Sequence, residues 1–317
     1  MSRLYTLRMP ASCGELLQGM ISGEEKLLSY PVNLYNYLIL ERRRGNPGKI
    51  KGEDAFPDLP EKMLTLIKLA ARDLGISPSL LAGYRWQHRQ LIPSGKGLAS
   101  STADLMLGLA ALSLLGSKKL SYQEILGYLT AIEPTDSIIF PELTLLEQNR
   151  GSFWQRAGQP EGEVRVLALG QPGSCDTLDQ RKFRGSIPDV TEAWRLFQQG
   201  VRRQDWRFIG KAATFSARAW QQQLNYPLLE EIISEAESQG CLGVNIAHSG
   251  NVLGILYQTE RADIQGLKSA LLSPEIKAHY PAKWELELIR GGVEVLQGDG
   301  RQFKKFLAYD FQSNNRD

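Results

Sequence analysis

The sequence predicts an α+β protein of two domains with a cleft between them, and three observations carry that prediction. Its 317 residues exceed the usual size of one domain, so two units sharing a cleft are expected. The segment from Tyr84 to Leu91 sets Tyr84, Trp86 and His88 against Arg85, Gln87 and Arg89, as does a strand covered on one face in an antiparallel or mixed sheet. Beyond residue 160, strand, helices and strands follow in the order of a ferredoxin-like half.

Composition narrows the class. Hydrophobic residues make up 42% and charged residues 23%, which suits a globular chain with a sizeable core. A formal charge of +2 speaks against a nucleic-acid binder, and the one dense basic run, Arg42 to Arg44, is flanked by Glu41 and by Glu53 and Asp54. Cys13, Cys175 and Cys241 are odd in number and lack CxxC spacing, so neither a disulfide framework nor a zinc site is expected. A reducing cytoplasm suits them. The N-terminus is too charged for a signal peptide, and the most apolar run, Leu105 to Leu115, is too short to cross a membrane. Oligomeric state stays open, a homodimer included.

In chain order, Leu4 to Met9 reads as a short strand, followed by a turn with small polar residues and one carboxylate over Pro10 to Gly19. That turn reads equally as a ligand-facing loop and as an ordinary hairpin. Lys26 to Tyr30 and Val32 to Glu41 read as two strands, Gly45 to Pro60 as a loop, and Glu61 to Leu74 as a helix stopped by Gly75. Leu98 to Leu115 is a helix with one charge, Asp104, and therefore buried; Asp104 reads as a partner of the helix's first turn ahead of a metal or substrate contact.

Ser121 to Thr130 forms a second helix, which Pro134 ends. A hairpin is expected over Leu143 to Arg156, then a strand over Val164 to Leu169 and a loop over Gly170 to Pro188. Helices are expected over Thr191 to Gln199, Trp206 to Gln222 and Leu228 to Gln239, with Trp194, Trp206 and Trp220 in the core or an interface. A further helix covers Glu260 to Leu272, with strands over Leu286 to Ile289 and Val293 to Leu296. The predicted divisions are residues 1–160, residues 161–298 and a polar tail over 299–317.

The stretch Pro93-Ser94-Gly95-Lys96-Gly97-Leu98-Ala99-Ser100-Ser101-Thr102 carries the chemistry. Gly95 and Gly97 admit positive φ and close approach to a ligand, and the serines and threonine sit where a helix starts. A helix start of this kind holds anions through unpaired N–H groups and the dipole. The dinucleotide fingerprint fails because the preceding strand is half polar, and the P-loop fails because Lys96 is followed by Gly97. A serine nucleophile lacks its Gly-x-Ser-x-Gly elbow, although His248-Ser249 keeps a serine hydrolase as a distant alternative. Glu133-Pro134-Thr135-Asp136-Ser137 places two carboxylates at a bend, where they can converge on one metal and one hydroxyl or merely cap a helix.

Position for position, Pro93-SGK-Gly97-Leu98-Ala99-Ser100-Ser101-Thr102-Ala103 resembles the second motif of the GHMP kinases. The resemblance implies an architecture with an N-terminal mixed-sheet α/β sandwich, a C-terminal ferredoxin-like domain and an active-site cleft between them. It implies ATP on Pro93 to Thr102, Mg²⁺ on Ser101 and Glu133, and Asp136 as the base or orienting group. Lys96 reads equally as neutralising phosphate charge in catalysis and as a loop lysine facing solvent. The stretch Gly243 to Gly254 resembles the third motif, with Ala247-His248-Ser249-Gly250 in place of a glycine run.

Taken with Pro10 to Gly19 and Gly291-Gly292-Val293, these segments look like the L-threonine kinase branch. Such enzymes make O-phospho-L-threonine for the cobalamin nucleotide loop. The expected acceptor contacts are Ser12, Glu15, Gln18, Thr135, Asp136, His248 and Ser249, because an ammonium needs a carboxylate and a carboxylate needs donors. A homoserine kinase and a non-catalytic nucleotide-binding protein of the same fold are the alternatives.

Overall fold

The computed structural model describes residues 4–44, 56, 58–173 and 186–297, with strand backbone at 304–305. Most of the loop expected over Gly45 to Pro60, the middle of the loop expected over Gly170 to Pro188, and nearly all of the tail lie outside the described residues.

One sheet runs through both halves of the chain. β1 (Leu4–Ile21) and β2 (Glu24–Arg42) form a long antiparallel ribbon at its centre, and β3 (Tyr84–Arg89) extends β2 along Tyr37 to Arg42. The half-polar alternation of β3 left antiparallel and mixed sheets open, and every strand pair among the described residues is antiparallel. The hairpin β4 (Thr144–Leu146) and β5 (Trp154–Arg156) forms where expected and pairs with β2 at Leu27.

The turn expected over Pro10 to Gly19 is not a turn. β1 continues to Ile21 with register shifts at Pro10/Ala11, Ser12/Glu15 and Glu15/Leu17, and the two strands expected after it are one, β2. Small polar residues and glycine here make bulges rather than a reversal. Gly14, at φ +69°, lets the Ile246 carbonyl approach so closely that a Cβ would lie 2.8 Å from it.

On the other side lie β6 (Arg165–Gly170), β7 (Gly243–Ile246), β8 (Val252–Tyr257) and β9 (Ala282–Glu287). Their spatial order, β7-β8-β6-β9, is that of a ferredoxin-like unit, and β7 joins β1 through Glu15 and Ile246. β10 (Glu294–Gln297) returns to pair with β1 and with β11 (Lys304–Lys305).

The helices cover the sheet. α1 (Glu61–Asp73), α2 (Pro78–Ala82), α3 (Ser100–Leu115) and α4 (Tyr122–Thr130) belong to the first half. α3 is apolar all round because it is buried all round, and Gly108 admits Met63 and Ile67 of α1 against its backbone. Ser121 and Glu124 start α4 with a reciprocal capping box. α5 (Thr191–Arg203), α6 (Trp206–Leu224), α7 (Leu229–Ser238), α8 (Ile264–Ala270) and α9 (Pro274–His279) belong to the second half. Gly210 of α6 and Gly243 of β7 meet backbone to backbone, with no room for a side chain on either.

Asp104 lies beyond the first turn of α3. Its Oδ1 accepts Asn36 Nδ2 at 2.7 Å and lies 2.7 Å from His88 Nε2, so it ties α3 to the sheet and touches neither the expected first turn nor the cavity. Asn36 in turn accepts the N–H groups of Leu91 and Ile92, which fixes the chain entering the glycine turn.

Candidate active site

Between the glycine turn, the 133–136 bend and the β7–β8 turn lies a cavity of about 400 Å³. Its floor is the start of α3. Gly95 and Gly97 hold φ of +66° and +75°, and Ala99 stands at the helix entry at φ +56°. No side chain caps α3, so the first N–H groups of the helix are left for a ligand.

The glycine turn is clamped from two sides. Ser12 N–H donates to the Leu98 carbonyl at 3.1 Å, and Asn251 N–H donates to the Lys96 carbonyl at 3.2 Å. A Cβ on Gly97 would lie 2.5 Å from Ala247 Cβ, and one on Gly250 would lie 2.1 Å from the Lys96 carbonyl oxygen. The third-motif turn therefore packs directly on the second. Tyr226 holds that turn by donating to the Ala247 carbonyl at 2.5 Å.

Asp136 faces the cavity and is buried. Its Oδ2 accepts Ser29 Oγ–H at 3.0 Å, its Oδ1 accepts the Ile138 N–H at 3.1 Å, and its own N–H donates to Thr102 Oγ1 at 3.2 Å. Burial, and then the charge of Glu15, push its carboxyl up to about 7. Also on the cavity wall, Glu15 Oε2 accepts the His248 N–H at 2.9 Å and meets the ring Nδ1 at 2.8 Å. Trp220 stands edge-on to the His248 ring at 5.0 Å and donates its indole N–H to the Gln18 carbonyl at 2.6 Å.

Comparison with known proteins gives the family. Residues 61–140 match the GHMP kinases N terminal domain, and residues 197–271 match the GHMP kinases C terminal region. The chain is 33% identical to an L-threonine kinase of Salmonella typhimurium (strain LT2), over 90% of this chain and 94% of the relative. It is 31% identical to an L-threonine kinase of Citrobacter freundii, over 90% of this chain and 98% of the relative.

The chain is a GHMP kinase.

Solved GHMP kinases share its fold. A homoserine kinase from Cytophaga hutchinsonii superposes with a TM-score of 0.65 at 16% identity, covering 92% of this chain and 97% of its own. The Methanococcus jannaschii mevalonate kinase does so with a TM-score of 0.63 at 14% identity, covering 90% and 98%.

This GHMP kinase brings most of the expected site residues to one wall. Gly95, Gly97, Leu98, Ala99, Ser100 and Ser101 line the cavity together with Thr102. Glu133, Thr135 and Asp136 line it from the bend, Glu15 and Gln18 from β1, and His248 and Ser249 from the β7–β8 turn. Pro93, Ser12 and Lys96 are not on the wall: Ser12 is buried behind it, and Lys96 Nζ donates to the Gln171 carbonyl at 2.7 Å and to the Gly173 carbonyl. Glu133 carries an ion pair with Lys62.

Several wall and support residues escaped sequence reasoning. Trp220, expected in the core, is buried yet lines the cavity. Ser29 was legible only as the one aliphatic hydroxyl in the run Leu27-Leu28-Ser29-Tyr30, and Lys62 only as one cation among several on α1.

Proposed function

We propose that this GHMP kinase transfers the γ-phosphoryl group of ATP to the side-chain hydroxyl of L-threonine, giving O-phospho-L-threonine and ADP. The observation that carries the reading is Asp136. A buried carboxyl poised near neutrality shares one cavity with an uncapped helix start, so a base and an anion cradle face each other. The threonine acceptor is supported by the two L-threonine kinases at 33% and 31% identity.

In this reading the N–H groups of Ser100, Ser101 and Thr102 receive the phosphates, and Gly95 and Gly97 let the chain approach them closely. Asp136, oriented by Ser29 and the Ile138 N–H, takes the hydroxyl proton as the oxygen attacks phosphorus and ADP leaves with the bonding pair. Thr135, Gln18 and Ser249 line the acceptor's side. Lys96 is held on the Gln171 and Gly173 carbonyls, so a part in neutralising phosphate charge requires it to leave them.

Mg²⁺ suits the donor set. Among the described residues no three His, Cys, Asp or Glu side chains gather to hold a metal by themselves, and Mg²⁺ takes few protein ligands beside phosphate oxygens and water. Ser101 and Glu133, both hard oxygen donors on the wall, are the residues that would hold it. When bound, it neutralises charge on the phosphates.

The residues 1–160 and 161–298 are read as the two sides of this site. The cytoplasm is the compartment we favour, and among the described residues no helix is long and apolar enough to cross a membrane. The product would feed the aminopropanol phosphate of the cobalamin nucleotide loop. The test is ATP consumption with L-threonine, L-serine, L-homoserine and mevalonate. L-Threonine is expected to give the highest kcat/KM, and a clear preference for another acceptor overturns the assignment.

A further inference from the structure

The cavity wall is acidic in an unusual way for a site that receives a polyphosphate. Glu15, Glu25, Glu133 and Asp136 line it, and no Lys or Arg does among the described residues. Two of these acids are accounted for within the chain: Glu133 pairs with Lys62, and Glu25 accepts the side-chain amides of Gln148 at 3.1 Å and Gln18 at 3.5 Å. Glu15 and Asp136 have no cationic Lys or Arg partner among the described residues, although both are buried. The two acids share the cavity wall and the charge of Glu15 raises the Asp136 carboxyl, a repulsion that a cation bound beside both would relieve.

A second observation points to what that cation is. Thr135 Oγ1 and His248 Nε2, both on the wall, are buried without a hydrogen-bond partner among the described residues. The Glu15 contact occupies ring Nδ1 of His248, so Nε2 is the ring nitrogen left without a partner. The Glu15 and Asp136 carboxylates accept, Thr135 Oγ1 can accept, and so can His248 Nε2 when the ring carries its proton on Nδ1; an ammonium group brings three N–H donors with one positive charge.

We propose that the acceptor's own ammonium group is seated on Glu15, with His248 as the positioning residue, and that by lying beside Asp136 it keeps that carboxylate ionised for the proton transfer. The inference rests on the amino-acid acceptor proposed above. In the step itself, the acceptor oxygen forms its bond to the γ-phosphorus as the bond from that phosphorus to ADP breaks, and the hydroxyl proton passes to Asp136. The ammonium keeps its protons throughout. The groups round Asp136 are Glu15 from β1, whose charge acts on it and which His248 contacts, Ser29 from β2 and Thr102 from α3.

The test compares L-threonine with 3-hydroxybutyrate, which keeps the hydroxyl, methyl and carboxylate and lacks the amine. With the unaltered enzyme, kcat should fall about 10²-fold or more on the analogue, beyond any rise in KM, because an unmet buried acceptor set rejects a ligand without its donors. The acid limb of kcat should lie roughly one pH unit lower with L-threonine than with the analogue. Glu15→Gln should cut kcat/KM for L-threonine by about 10²-fold and, by removing the charge that opposes Asp136 ionisation, lower the acid limb for the analogue, so that the discrimination collapses. His248→Gln should weaken the discrimination less, and ATP-induced thermal stabilisation should persist in both variants as the check on folding.

Discrimination retained in Glu15→Gln overturns the proposal, as does an altered Mg²⁺ requirement with discrimination intact, which would make Glu15 a metal contact. Phosphorylation of L-homoserine in place of L-threonine overturns the threonine assignment alone, and the same comparison then runs against 4-hydroxybutyrate. Activity on no amino acid overturns both.

Discussion

Ser29 Oγ donates to Asp136 Oδ2 at 3.0 Å while the Ser29 N–H donates to Ser137 Oγ at 2.9 Å, so β2 grips the 136–137 bend through one residue. The hydroxyl bond favours the ionised carboxylate against the burial and the Glu15 charge that oppose it. Ser29→Ala should therefore move the acid limb of kcat/KM above pH 7 and lower kcat at pH 7 by about tenfold, the size of a hydrogen bond to a charged group. KM for ATP should not change. A pH–rate profile of the variant checks this, and an unmoved limb removes Ser29 from that part.

Asp136→Asn tests the base itself. Turnover should fall by about 10²–10⁴-fold. Stability should move the other way. The folded carboxyl titrates at about 7 against about 3.9 in the unfolded chain, so between those values the folded state binds more protons and stability falls as pH rises. The penalty is absent at pH 4 and complete at pH 8. Thermal melts should show Asp136→Asn gaining a few degrees over the parent at pH 8 and little at pH 4.

The contact of Gly97 with Gly250 makes the glycine turn, the proposed phosphate cradle, a joint product of the two halves of the chain. Gly250→Ala would set a Cβ 2.1 Å from the Lys96 carbonyl oxygen, and Gly97→Ala would set one 2.5 Å from Ala247 Cβ at φ +75°. Each should cost about 1–3 kcal/mol through overpacking, more for Gly97 because of its backbone. ATP-induced thermal stabilisation should also shrink in both. Normal melting of either variant would contradict the close approach.

Much of this was legible in the sequence, for identifiable reasons. The glycine turn carries its own signal, since a side chain at Gly97, at φ +75°, would meet Ala247, and the helix behind it is buried almost throughout. The ferredoxin-like order followed from helices and strands whose caps and periods are local. What failed was pairing. A bulged strand such as β1, with Gly14 and Ser12 in it, has the composition of a turn, and only its registers with β2 and β7 make it a strand. For the same reason Asp104 was misread: its partners, Asn36 and His88, lie 68 and 16 residues away in the chain.

Glu133 has a rival for any metal. Lys62, half-exposed on α1, holds its carboxylate in an ion pair that Mg²⁺ has to displace. Exposed pairs are worth about 0–1 kcal/mol, so Lys62→Ala should lower the Mg²⁺ concentration for half-maximal rate by a few-fold. Glu133→Gln should raise it. Metal titrations of the two variants that move together, or do not move, contradict the assignment of Glu133.

The trio Asp104, Asn36 and His88 holds the strand leading into the site without touching the cavity. Asp104 is buried, and both bonds to its Oδ1 are 2.7 Å. Asp104→Ala leaves the Asn36 amide and the His88 ring without their partner, which should cost about 1–3 kcal/mol, the loss seen when a buried polar group is left unsatisfied. Salt should not soften the effect, because buried pairs are poorly screened. The double variant with His88→Ala should be destabilised by at least about 0.5 kcal/mol less than the sum of the single changes, since both remove the same contact. Denaturant melts of the four proteins measure that coupling, and strict additivity would show that the two side chains act independently.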